Sequence, residues 1–136
     1  MIVSLLLILI SSLAKSVSDA IAHGKDSIFP NNNWWDASES WKNKYKDRDP
    51  EKGPAFPLST TLLVFVTDAW HFFNMIGSTA YCIIPAVLLT NDLKEFLLVF
   101  AGCRMIYMGA FHFVYHEIFE KHGKENNEEK GYKKNN

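Results

Sequence analysis

This chain has almost no net charge, almost no cysteine and no charged residue in its first fourteen positions. Its 14 lysines and arginines nearly balance 15 aspartates and glutamates, for a formal charge of −1. A global field drawing it to nucleic acid or to acidic lipid is therefore excluded. The only two cysteines, Cys82 and Cys103, both lie in apolar stretches. They read as buried thiols, and neither a disulfide framework nor a Cys-x-x-Cys site can be built from them. No P-loop, His-Glu-x-x-His motif or Ser-His-Asp order occurs, so the signatures of nucleotide hydrolysis, zinc proteolysis and serine hydrolysis are missing. Proline is nearly confined to one stretch, at positions 30, 50, 54 and 57, with Pro85 the exception.

What is present is apolar and segmented. The mean hydropathy of −0.07 averages two populations. Apolar residues crowd into three segments, and charges crowd into residues 23–57 and 120–136. The expected fold is all-α: a small polytopic membrane protein of about three long helices, with an aromatic and basic interfacial loop.

Residues 1–22 read as an N-terminal apolar helix, a membrane anchor or span, with Lys15 and Asp19 at the interface or facing other helices. A signal peptide is the competing reading, but no basic residue precedes the apolar core. Residues 23–57 are polar and broken by proline, so long regular structure is not expected there. Trp34, Trp35, Trp41 and Tyr45 alternate with lysines in that stretch. Beside a membrane span this pattern predicts ring anchors at headgroup level, with lysines reaching water. Nucleic-acid stacking is the weaker reading, because nearby carboxylates cancel the bases.

Residues 58–120 read as a two-helix transmembrane core. A single helix over Leu58–Leu89 would be about 48 Å long against a hydrocarbon core of about 30 Å, so either its ends protrude or it bends, with Gly77-Ser78 and Pro85 the places for a break within 77–85. Asn91 or Asp92 is placed to cap the next helix. In that helix Gly102 and Gly109 form a smooth strip for a neighbour's backbone. Residues 121–136 are Glu/Lys/Asn-rich and read as a disordered, charged tail. Lysine and arginine number six in 23–57, one in 90–95 and five from 121 onward. The positive-inside rule then puts the loop and the tail in the cytoplasm.

Ionisable residues within the apolar segments are the natural site hypothesis. Thr67, Asp68, His71, Asn74, Arg104, His112 and Tyr115 define an expected buried polar seam. If the middle helix begins at Leu58, His71 and Arg104 lie at similar depth, about 20 Å from the cytoplasmic edge, and Asp68 can neutralise Arg104. Asp68-x-x-His71 and His112-x-x-x-His116 also have spacings that let two side chains share a metal. Asp68, His71, His112 and His116 are thus the catalytic candidates, and Asp68, His112 and His116 the metal candidates. No cofactor is predicted, though such ligands would suit zinc or iron.

Trp41-Lys42-Asn43-Lys44-Tyr45-Lys46, Gly53-Pro54-x-Phe56-Pro57-x-Ser59-Thr60-Thr61 and Thr67-Asp68-Ala69-Trp70-His71 resemble small uncharacterised membrane proteins of Bacteroidetes bacteria and their phages. The resemblance spans about residues 30–120 and implies a membrane location, in a bacterial inner membrane or a phage-associated one. It implies no activity. The expected role is structural or interaction-based, with the lipid bilayer, a second copy or another membrane protein as partner and no nucleic acid. A membrane-embedded metal or acid/base enzyme acting on lipid is the alternative, and an ion- or proton-conducting oligomer is the third.

Overall fold

The computed structural model describes residues 2–23, 29–30 and 32–114, and these are all-helical, with three α-helices and no strand among them. The chain divides into two units, Met1–Leu89 and Thr90–Asn136.

The first unit is a helical hairpin with an ordered connector. Helix α1 (Ile2–His23) packs against α2 (Ala69–Leu89). The inward positions of α1 are Ser4, Leu7, Ser11, Ala14, Ser18 and Ile21, all buried or half-buried. Their alternating three- and four-residue spacing makes one narrow stripe on a helix, the seam geometry of coiled coils. The buried residues of α2 are also mostly small: Ala69, Gly77, Ser78, Ala80, Cys82 and Ala86. Small side chains let two backbones approach. A Cβ added at Gly77 would stand 3.4 Å from the Ser11 carbonyl oxygen and 3.5 Å from Ala14 Cβ. The Ser11 hydroxyl donates to the Gly77 carbonyl at 3.0 Å. Ala14 lies level with Gly77, and Ala22 with Trp70 and His71, so the helices run antiparallel.

Large apolar side chains on both helices are exposed. Leu5, Leu6, Ile8, Leu9, Ile10 and Leu13 are exposed on α1, and Tyr81, Val87, Leu88 and Leu89 on α2. Both helices are long and apolar enough to cross a membrane, and only 17% and 22% of their most apolar windows is buried. Lys15 and Asp19 pair one turn apart on an exposed face of α1.

The expected helix over Leu58–Leu89 is corrected: the α-helix begins at Ala69, and residues 58–68 form successive turns ending in a 3-10 turn at Val64–Val66. The β-branched residues Thr60, Thr61, Val64, Val66 and Thr67 restrict side-chain freedom in a helix, which weakens it locally. Ser59 is withdrawn from the helical pattern altogether, its hydroxyl donating to the Lys44 carbonyl at 2.7 Å. At 21 residues, α2 is about 32 Å long, so the excess length disappears. With it goes the need for a break: α2 runs through Gly77 and Pro85 without interruption.

Between the helices, the described part of the connector holds short 3-10 turns at Ser40–Lys44, Lys46–Arg48 and Pro50–Lys52, as its prolines led us to expect. Two backbone bonds join the strand-like positions around Tyr45 and Pro54: Lys46 N–H donates to the Gly53 carbonyl and Ala55 N–H to the Lys44 carbonyl, each at 2.9 Å. Gly53 sits at φ 76°, a left-handed value natural to glycine, whereas Asp47, Arg48 and Leu58 adopt it at a cost.

The second unit contains α3 (Leu93–His112). Asp92 caps it as expected, its Oδ1 accepting from Lys94 N–H at 2.8 Å and Glu95 N–H at 3.0 Å. Glu95 in the first turn adds negative charge where the helix dipole favours it. None of the described residues of α3 is buried, and Leu97, Leu98, Met105 and Ile106 are among its exposed apolar side chains. A Cβ at Gly102 or Gly109 would meet nothing within 4 Å. α3 does not reach the apolarity that α1 and α2 have. The expected charged tail, 121–136, lies outside the described residues.

Candidate functional site: Asp68 and His71 at the start of α2

The later start of α2 changes what Asp68 is. It occupies the N-cap, the residue just before the first helical turn. Its Oδ1 accepts from the backbone N–H of His71 at 2.8 Å, three residues on, and its own carbonyl accepts from Phe72 N–H at 3.1 Å. That is the geometry by which aspartate satisfies a helix's unpaired first-turn donors. The other carboxylate oxygen, Oδ2, accepts from the Thr67 hydroxyl at 3.2 Å and lies 2.6 Å from His71 Nδ1. The Asp68 side chain is only 2% exposed, whereas His71 keeps 28%.

An ionised carboxylate only accepts hydrogen bonds, so Nδ1 of His71 must carry the proton in this contact. In the neutral ring the lone pair is then on Nε2. The arrangement orients an imidazole as a carboxylate does in acid/base catalysis. The same contacts cap the helix from one side: the carboxylate takes the His71 backbone N–H, and the His71 ring reaches back to its other oxygen.

The connector holds this corner in place. The Trp34 carbonyl accepts from Ala69 N–H at 2.9 Å, satisfying another first-turn donor. Asn43 Nδ2 bridges the Asn33 carbonyl at 2.7 Å and the Thr67 carbonyl at 3.0 Å. Trp34 and Trp35 lie across the first turns of α2, with ring centroids 5.8 Å from Phe72 and 5.9 Å from Phe73. Trp41 and Tyr45 meet edge to face at 6.3 Å, with Lys42 and Lys44 ammonium groups 5.7 and 5.4 Å from their rings. Beside His71 opens a cavity of about 270 Å³ whose walls include Ala22 of α1, Ser40 and Trp41 of the connector, and Trp70. The Trp70 ring stands edge-on to His71 at 4.8 Å.

Of the expected seam, Thr67, Asp68 and His71 come together. Asn74 is one turn further along, its amide donating to the Trp70 carbonyl at 2.9 Å. Arg104 and His112 belong to the second unit, and Tyr115 and His116 lie outside the described residues. The depth match between His71 and Arg104 rested on a helix from Leu58. With α2 starting at Ala69, His71 is in the first turn, about 3 Å from the helix start. Every contact described for the Asp68 carboxylate comes from Thr67 and His71. Among the described residues, no three of His, Cys, Asp and Glu come together as a metal site would require.

Ser40 and Asn43 carry no local signal of their place beside this corner, and the serines of α1 carry only their spacing. Ser4, Ser11 and Ser18 are seven residues apart, a spacing legible in the sequence. The Asp-x-x-His spacing was equally open to a capping reading. No family profile, curated protein or solved structure matches this chain.

Proposed function

We propose that this is an integral membrane protein whose α1–α2 hairpin crosses the bilayer and whose role is structural or interaction-based. The observation that carries the reading is the distribution of surfaces on α1 and α2. A soluble core helix buries its leucines, but here the small residues are buried and the large aliphatics face out. That inversion suits helices packed through small residues and solvated by lipid. The antiparallel hairpin puts the connector on one face of the membrane, and its six basic residues favour the cytoplasm. α3, with its exposed apolar side chains, is the third span in this reading and returns the tail to the cytoplasm. The resemblance of the Trp41–Lys46 and Thr67–His71 stretches favours a bacterial inner membrane or a phage-associated membrane. A second copy or another membrane protein is the partner expected at the exposed helix faces. The test is extraction: the protein should stay in the membrane pellet through carbonate at high pH and urea and be released by detergent. Release by carbonate alone would overturn the reading.

A second reading, an acid/base enzyme acting on a lipid or lipid-linked substrate, is favoured by one observation, the carboxylate-oriented imidazole beside an open cavity. In this reading His71 Nε2 is the base, Asp68 its orienting group, and the aromatic walls hold an apolar substrate. Elemental analysis separates its metal-dependent form from a metal-free one. A site of structural-zinc tightness would keep its zinc or iron through purification. We expect less than about a tenth of an equivalent in protein prepared without a histidine tag.

A further inference from the structure

We propose that residues 56–66, a run of turns with no α-helix, form a wedge lying in the headgroup region of the bilayer, an interfacial anchor that sets how deeply α2 enters. This rests on the reading that α1 and α2 cross a membrane. The segment is as apolar as a span, yet it forms irregular turns. Four of its large side chains point away from the protein: Phe56, Leu58, Leu62 and Val66, with Leu62 66% exposed. Leu58, Leu62 and Val66 recur every four residues. Leu58 also takes a left-handed conformation, φ 65°, that an L-residue adopts only at a cost. That conformation is held from both sides: Leu63 N–H closes onto the Leu58 carbonyl at 2.9 Å, and the next residue, Ser59, is fully buried with its hydroxyl on Lys44. The connector thus fixes a turn whose outer surface is a row of aliphatics.

Lipid at the interface is the one occupant consistent with these features. Irregular backbone exposed to hydrocarbon is excluded, because carbonyl and N–H groups left unpaired there cost several kcal/mol each. The segment therefore cannot sit deep in the bilayer. Nor does it lie far outside, since it ends at Val66, two residues before the N-cap of α2, and continues the outward apolar surface of that hairpin. Lys44, whose carbonyl takes both Ala55 N–H and Ser59 Oγ, emerges beside the wedge with its ammonium over the Tyr45 ring. It pairs with no carboxylate among the described residues. A cation and a ring beside an aliphatic row fit a boundary between phosphate and acyl chain.

The test is depth measurement by spin labelling in lipid nanodiscs. Labels go on Leu58→Cys, Leu62→Cys and Val66→Cys in a Cys82→Ala, Cys103→Ala background, with Leu9→Cys as a membrane control and Glu51→Cys as an aqueous one. At the three wedge positions, broadening by oxygen should exceed broadening by a water-soluble nickel chelate, by less than at Leu9; at Glu51 the order should reverse. Aqueous values at all three wedge positions with a deep Leu9 would overturn the wedge and leave the membrane reading intact. An aqueous Leu9 would overturn that reading first. Dipolar broadening between copies labelled at Leu62 would assign the surface to a second copy and also overturn the wedge. Hydroxyl-radical footprinting of the unsubstituted protein is the check should the cysteine variants fail to fold. Phe56, Leu58 and Leu62 should gain protection on transfer from detergent-free urea into nanodiscs, and unchanged oxidation of these residues would overturn the wedge.

Discussion

The hydroxyl of Ser11 on α1 donates to the carbonyl of Gly77 on α2 across 3.0 Å, where a Cβ on Gly77 would stand 3.4 Å from the α1 backbone. Two consequences follow for substitution. Gly77→Ala places its Cβ at ordinary contact distance from Ser11 and Ala14. It should be neutral or stabilising, by up to about 1 kcal/mol, because alanine favours helix over glycine. Gly77→Leu cannot be accommodated and should cost about 1–3 kcal/mol or more by forcing the helices apart. Thermal unfolding in detergent, followed by helical circular dichroism, measures both. Equal loss from the two changes would disprove close packing at Gly77.

Asp68 and His71 should behave as a coupled pair. Asp68→Asn keeps a capping side chain, so it should retain most of the stability that Asp68→Ala loses, of order 1–2 kcal/mol. With alanine at either site, the double change should cost less than the sum of the singles, by about 0.5–3 kcal/mol, since the two residues share one interaction. Strict additivity would mean that the 2.6 Å contact contributes nothing to folding.

Topology follows from the spans. If α3 completes three crossings, reporters inserted near Asn32 and fused after Asn136 should both read cytoplasmic. Reporters on opposite sides would leave α1 and α2 as spans and remove α3.

Outside the hairpin, Asp36 should titrate below the ordinary aspartate range. The Ser38 hydroxyl, 2.6 Å from Oδ1, is the largest cause, with the Ser38 backbone N–H at 2.9 Å next. A depressed carboxylate contributes stability above its unfolded value, near about 3.9, and loses it as pH falls through the lower folded value. At the surface as it is, its effect on unfolding should be slight. Ser38→Ala should raise the Asp36 titration midpoint, read from the side-chain carboxyl carbon by NMR. An unmoved midpoint would discount the hydroxyl.

Much of this protein is written locally in its sequence. The apolar runs of α1 and α2, the Asp92 cap and the proline-broken connector depend on neighbours a few residues away, so periodicity and composition reveal them. The start of α2 does not work that way. Leu58–Val66 reads as helix because its apolar content is high, and it is diverted by contacts far along the chain: Ser59 to Lys44, Asn43 to Thr67, Trp34 to Ala69. Such contacts exist only after the connector has folded back onto the hairpin, so no window of sequence contains them. They alone decide that Asp68 is a capping residue at the first turn of α2, where the sequence suggested a charge halfway through a membrane.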